Sequence, residues 1–519
     1  MTALRKISSL AASAAVLAGP AQAADAPGKL IPDIIVTAER RPDPAQRLPI
    51  ALTAYTADSL SLRNLATPLA VVTTVPNMFA SAAVGIGAAN SYTLRGLGQT
   101  ATDPSFSPSV GTFIDEIYIA PGAGTNFLFF DIARADVLRG PQGTLYGRNT
   151  SAGAVTIALD RPSDTLAGYG EFTYGAFHRK TARGSIDLPL SPVVQLKISG
   201  YYQNDDGYVR NTTTGERLND SDMAGIRGAV QLKLTDTLRW NFAATYMRND
   251  ADNLPNAQCD SNAPANCTGR YAATARRAVQ PFIAANPLIP LGSRLDTQMY
   301  TSHIDWLGEN FALAAITGVV NSRARSAIDR SDGRAFPTAT VPYPVPTLTP
   351  AGADPVTSIG RGTQFSQELK LTGSVLSGHI DYIAGLLYFD ANDTADRGTA
   401  VVQNGTIDKA GYVQADFNAS DRIKLTAGVR YTDEETRFAI ADTSLQCTLA
   451  PVTCLNTANL VAGALPTTRK TKFWSPRFAA SVRAADDVLV YASASRGFRS
   501  GGYDARGGQL ATILPFAAE

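Results

Sequence analysis

The chain has 519 residues, with 46 Lys plus Arg against 45 Asp plus Glu and a net charge of +1. A balance this even leaves no global field for nucleic acid, and the histidines, His178, His303 and His379, are too few and scattered for a protein-built metal cage. Such a length calls for several domains or one very large barrel.

Residues 1–23 carry Arg5 and Lys6, a short apolar run from Leu10 to Gly19, and Ala21-Gln22-Ala23 as a small-x-small cleavage site. This is the pattern of a secretory signal peptide. The apolar run is too short for a membrane anchor, and no other charge-free run is long enough for a spanning helix. Residues 24–45 contain "DIIVTAERRPDP", an extended β-branched run ending in charge and prolines, as expected of a strand-forming peptide on a linker.

Residues 46–160 alternate short apolar strands, such as "SYTLRGL" and "GTFIDEIYI", with turns and helices. Thr67 as N-cap and Pro68 at the first helical position predict a helix start. The segment is expected to be a small mixed α/β domain. Within it, "VLRGPQGTLYGRNTSAGAVTI" concentrates glycines at 140, 143, 147 and 153. A phosphate-binding loop would need Lys-Ser or Lys-Thr after its last glycine, whereas Gly147 is followed by Arg148 and Asn149.

From residue 165 to 519 the pattern has period two. Val194, Leu196, Ile198 and Tyr202 share one face against Gln195, Lys197, Ser199 and Gln203. The same alternation recurs in "LRWNFAATYM" and in "RIKLTAGVRYT". A soluble sandwich alternates too, but here short turns take turns with long polar loops along the chain, the construction of an outer-membrane barrel. Cys259, Cys267, Cys447 and Cys454 fall as two local pairs in long loops. Their spacing does not match a Cys-x-x-Cys metal knuckle, and two loop disulfides in an oxidising compartment fit better.

Taken together in order, "DIIVTAERR", "TLRGLG", "DVLRGPQGTLYGRNTSAGAVTI", "FSQELKLTG", "RIKLTAGVRYTDE", "WSPRFAASV" and "YASASRGFRSGGY" resemble the TonB-dependent outer-membrane receptors, in particular their iron-complex branch. The resemblance implies a transmembrane β-barrel of antiparallel strands with an N-terminal mixed α/β plug in its lumen, in the bacterial outer membrane and in contact with its lipid. It implies a TonB box at Asp33, Ile34, Ile35, Val36, Thr37 and Ala38, which would add as a strand to the periplasmic domain of TonB, itself worked by an inner-membrane motor. It assigns Arg95, Gly96, Arg139, Gly140, Pro141, Gly143, Tyr146 and Gly147 to the plug motifs, with Arg95 and Arg139 carrying charge into the lumen. Glu368, on a polar face with Ser366, Lys370 and Thr372, becomes the wall's candidate for a plug–barrel ion pair.

The activity implied is energy-coupled import of a scarce solute, a ferric siderophore before other iron chelates; a non-iron importer such as a carbohydrate receptor is the alternative. A passive porin would have neither box nor plug. No catalytic constellation, cofactor or metal site is expected. The family barrel closes with 22 strands, whereas the alternation here supplies about 13. The reading is therefore of a C-terminally truncated receptor, with a non-functional fragment among its alternatives.

Overall fold

The computed structural model describes residues 35–37, 39–83, 86–98, 106–121, 124–211, 217–251, 272–273, 278–279, 289–290, 292–329, 355–396, 400–442, 458, 467–485, 488–503 and 515–519. The expected signal peptide, Asp33, Ile34, Ala38 and all four cysteines lie outside these residues.

The chain opens with a short antiparallel pair, β1 (Ile35–Val36) and β2 (Asp43–Pro44). A compact α/β unit follows. Its strands are β3 (Ala51–Thr56), β4 (Met78–Ala83), β5 (Ile86–Leu94), β6 (Leu97–Gly98), β7 (Val110–Ile114), β8 (Ile117–Tyr118), β9 (Ile132–Arg139) and β10 (Gly153–Leu159). Five of them form one sheet in the order β3-β9-β10-β7-β8, in which β10 runs parallel to β7. Helix α1 (Ala57–Leu62) starts where the Thr56 side chain accepts from the Ser59 N–H. Helix α2 (Pro68–Val72) starts at Thr67, whose hydroxyl accepts from Ala70, with Pro68 in the first turn where its missing N–H costs nothing.

Thirteen longer strands form a second sheet in chain order, each antiparallel to the next. They are β11 (Ala167–Tyr174), β12 (Lys180–Pro189), β13 (Val194–Asp205), β14 (Ser221–Lys233), β15 (Leu238–Ala251), β16 (Gly292–Leu307) and β17 (Phe311–Asp329), then β18 (Pro355–Val375), β19 (Ile380–Asp396), β20 (Ala400–Asn418), β21 (Ile423–Asp442), β22 (Thr468–Ala485) and β23 (Val488–Ser495). The outer edges of β11 and β23 have no strand partner among the described residues. Short turns at 190–193, 234–237, 308–310, 376–379 and 419–422 mark one end of the sheet. No helix among the described residues is long and apolar enough to cross a membrane.

Burial inverts the usual sense of amphipathicity. On β13 the polar Gln195, Lys197 and Ser199 are buried, at 5% exposure or less, while Ile198 and Tyr202 are each 47% exposed. On β15, Asn241 and Thr245 are buried and Trp240, Phe242 and Tyr246 face out. A water-soluble sandwich would do the opposite. A lipid-facing apolar band over a polar lumen requires this arrangement, and the plug fills that lumen. Its core is continuous with the inner wall: Val71, Leu94, Val137 and Phe130 pack in one cluster with Tyr201, Met299 and Ile316 of the wall.

Three features go beyond what the alternation shows. Several strands exceed membrane-spanning length, β18 reaching 21 residues and β21 reaching 20. Backbone pairing continues beyond the apolar band, where side-chain periodicity no longer records it. The connection between β13 and β14 contains a small antiparallel pair, Val209–Asn211 with Arg217–Leu218. Residues 496–503 and 515–519 do not extend the wall sheet. They turn onto the plug, where Phe498 is fully buried, Phe516 stacks on Phe106 and the Ser500 N–H donates to Asn149. The glycine-rich run at 496–502 has no alternation to support a wall strand.

The lipid face makes a direct prediction. Leu369 lies outward in mid-strand on β18, opposite the exposed Leu386 of β19. Leu369→Arg should lower stability in liposomes by about 2–4 kcal/mol in urea titration, the cost of a cation in the apolar band; a change under about 0.5 kcal/mol would place this face in water.

Candidate functional site

The strand β1, which carries the expected TonB-box residues Ile35 and Val36, is gripped on both edges. Pro44 has no N–H, so the reciprocal pair between β1 and β2 is Val36 with Asp43, which turns the Ile35 and Thr37 carbonyls to the opposite edge. There the Arg134 guanidinium donates to the Ile35 carbonyl at 3.2 Å and to the Thr37 hydroxyl, and the Tyr146 hydroxyl donates to the Thr37 carbonyl at 3.3 Å. Val36 is fully buried beside Leu138, Leu145 and Tyr146 of the plug. Arg134 is itself held by Asp136 at 2.7 Å. Burial pushes the Asp136 carboxyl up to about 6 despite that partner.

The residues directly after the box reach the wall. Glu39 pairs with Arg477 of β22 at 2.7 Å, and Arg41 meets Asp416 of β20. Arg40 makes a two-pronged pair with Glu368 of β18, both nitrogens lying 2.6 Å from its oxygens, while Tyr412 donates to the same carboxylate at 2.7 Å. Arg40 also touches Glu116 of the plug at 3.1 Å, and Lys370 reaches Glu116 at 2.5 Å. Burial alone would raise the Glu116 carboxyl, but Lys370 and Arg40 hold it well below the usual carboxylate range. A cavity of about 230 Å³ lies beside this cluster, lined in part by Thr37, Arg40, Arg134, Tyr146 and His303.

Further round the plug, the run 140–150 lies against the inner wall. The Thr144 hydroxyl donates to the Ser475 carbonyl at 2.8 Å, Arg148 lies 3.3 Å from Glu434, and the Ser495 hydroxyl donates to the Pro141 carbonyl at 3.1 Å. Glycine is required for this approach. A Cβ on Gly147 would sit 2.6 Å from the Arg430 guanidinium carbon, in a backbone at φ +80°, and one on Gly143 would sit 2.9 Å from the Ser475 hydroxyl of β22. Gly143 and Gly147 therefore serve close contact between plug and wall.

Comparison with known proteins agrees with this geometry. The model described as TonB dependent receptor-like, beta-barrel matches residues 124–516, and the TonB-dependent Receptor Plug Domain model matches residues 44–154. The chain belongs to the TonB-dependent receptors. It is thus an outer-membrane protein with a plug and a β-barrel wall. The receptor is 30% identical over 167 residues to the pesticin receptor of Yersinia enterocolitica, a match covering 30% of this chain and 23% of that protein. The ferric yersiniabactin uptake receptor FyuA of Yersinia pestis superposes with a TM-score of 0.68 at 18% identity, over 91% of this chain and 68% of that one. The ferric-catecholate import receptor Fiu of E. coli K12 gives 0.66 at 12% identity, over 87% and 70%.

Within the receptor, Ile35, Val36 and Thr37 lie together against the plug, and Glu368 lies on the lumen face of the wall. Arg95 and Arg139 do not carry the buried charge. Arg95 is exposed in the turn after β5, at φ +53° next to Gly96, and the half-buried Arg139 has its Nε without a partner among the described residues. Among the described residues, buried cations in the lumen include Arg40 and Arg148 on the plug side and, from the wall, Arg227, which meets Asp131. Sequence reading passed over Glu39, Arg40, Arg41 and Arg134. The Glu-Arg-Arg run directly after a β-branched strand is the one signal for the first three, and local pattern carries none for Arg134. Among the described residues, no group of three or more His, Cys, Asp or Glu is placed to hold a metal ion.

Gly147→Ala should lower the apparent Tm of the reconstituted receptor, with a cost on the order of 1–3 kcal/mol for forced overpacking. Gly170→Ala, whose Cβ meets nothing within 4 Å, is the control and should leave it unchanged. Equal effects at the two positions would contradict the close-approach account.

Proposed function

We propose that this receptor imports a ferric siderophore across the outer membrane by TonB-driven work, with residues 33–38 as the TonB-binding strand. The single observation that carries this reading is the box itself: a β-branched strand at the start of the plug, bonded through Arg134 and Tyr146 to the unit that blocks the lumen. A pull on such a strand is a pull on the plug. The solute is inferred from similar structures, whose names include ferric yersiniabactin uptake and ferric-catecholate import.

Docking by strand addition needs a free backbone edge. In this structure β2 takes one edge of the box, and Arg134 with Tyr146 takes the other. The box must let go of one set before TonB can bind. Arg134 is then a positioning residue: Arg134→Ala should raise the affinity of the purified TonB periplasmic domain for solute-free receptor, while affinity for the isolated 33–39 peptide stays as in the wild type.

Ile35→Pro removes a ladder donor and blocks strand addition. Cells carrying it should bind iron-55-labelled siderophores at the surface yet fail to accumulate them. Accumulation equal to wild type would overturn the assignment of the box. Accumulation of a labelled oligosaccharide with no ferric siderophore uptake would move the receptor to a non-iron solute.

A further inference from the structure

Four charged residues in the space of five follow the box strand, and each finds its opposite on the wall. Glu39 meets Arg477, Arg40 meets Glu368, Arg41 meets Asp416, and Asp43 lies 3.5 Å from Lys424. The order of signs along the chain, minus, plus, plus, minus, is answered by plus, minus, minus, plus on strands β22, β18, β20 and β21. The first three pairs are shielded from water, with Glu39, Glu368, Asp416 and Arg477 each at most 5% exposed and Arg40 7% exposed, while Asp43 and Lys424 are half-buried. The plug sheet begins only at Ala51. Coming from the N-terminus, the chain therefore meets first the side-chain grip of Arg134 and Tyr146 on Ile35–Thr37, then these wall pairs, and only then the start of the plug sheet.

We infer that Glu39–Asp43 is a force-bearing staple to the barrel wall, so that tension entering at the box, once it has peeled Ile35–Thr37 from Arg134 and Tyr146, must break these four ion pairs before it reaches the first strand of the plug sheet at Ala51. Charge pairs suit such an element. Their charge-assisted hydrogen bonds are short-ranged and directional, so a displacement of a few ångströms breaks them, and water entering the gap then screens the remaining attraction. The apolar plug core offers no comparable threshold, because its contacts are shared among many side chains. The staple would keep the plug seated against stray tugs at the box and yield to a sustained pull. The inference rests on the box being the handle. Its mechanical content does not depend on what does the pulling.

The test is single-molecule pulling of the full chain in a lipid bilayer through a bead on its N-terminus, with no TonB present. Wild type should give an early rupture, followed after roughly 40 Å of released chain by the ruptures of the plug; the spacing is that of residues 39 to 51 at about 3.3–3.6 Å each. The wall-side variant Asp416→Asn with Arg477→Gln leaves the pulled segment unaltered and should reduce the early rupture force at least twofold while leaving the plug ruptures in place. The charge reversal Glu39→Arg with Arg477→Glu should restore more of the early force than either single change retains. An early rupture absent from wild type, or unchanged in the Asp416→Asn, Arg477→Gln variant, overturns the staple. So does a parallel fall in the plug ruptures, which would mark the pairs as general support for the fold. Failure of TonB to bind the box would sink the import reading and leave this result intact.

Discussion

In a bilayer every backbone N–H and C=O must be paired within the protein, and this one constraint orders the rest of the structure. It forces a strand wall, the wall forces apolar residues outward, and the alternation then forces polar side chains inward. The lumen thus presents Lys197, Arg227, Glu368, Asp416, Glu434 and Arg477 to whatever fills it. A purely apolar plug would leave those charges buried and unpaired, at several kcal/mol each. The plug answers with Asp131, Glu116, Arg148 and the run Glu39 to Arg41. Its hold on the wall is therefore a mixture of shared apolar core and discrete ion pairs.

Such a mixture suits a part that has to stay seated and still be moved. Buried pairs add little net stability over an apolar substitute, yet removing one partner costs about 3–5 kcal/mol because the other charge is stranded. They specify one seating of the plug better than they strengthen it. Glycines at 143 and 147 let the plug backbone come within contact of wall groups, and Gln364 of the wall exchanges hydrogen bonds with the edge of the plug at Ala120 and Tyr118. Polar contacts of this kind can be re-satisfied by water as they part, which keeps the cost of moving the plug below that of opening a dry core.

Much of the fold was legible because membrane strands declare both faces. Ile198 and Lys197 differ in side as period two demands, and Thr67-Pro68 marks a helix start by local chemistry alone. Strand lengths were less legible, since β18 and β21 run past the apolar band into sequence without alternation. At the site, Glu368 stood out on a lumen-facing strand, but its partner did not. Arg139 and Arg95 sit in recognisable motifs, whereas Arg40 sits in what reads as a solvated charge run. Only the return of the chain from β1 along the inner wall brings residue 40 to residue 368, and pairings over such a separation leave no mark in local pattern. Arg134 was hidden for the same reason. It belongs to a central plug strand, and its role depends on a box nearly a hundred residues away.

The central claim is that the strand at Ile35 to Thr37 is the point at which energy enters the receptor. The most direct measurement places a photo-crosslinking amino acid at Thr37 in cells that also make TonB, with and without ferric siderophore. The account predicts a receptor–TonB adduct that depends on Thr37 and increases when the solute is present. An absence of adduct under both conditions, with the receptor folded in the outer membrane and crosslinking within the plug proceeding normally, would contradict it.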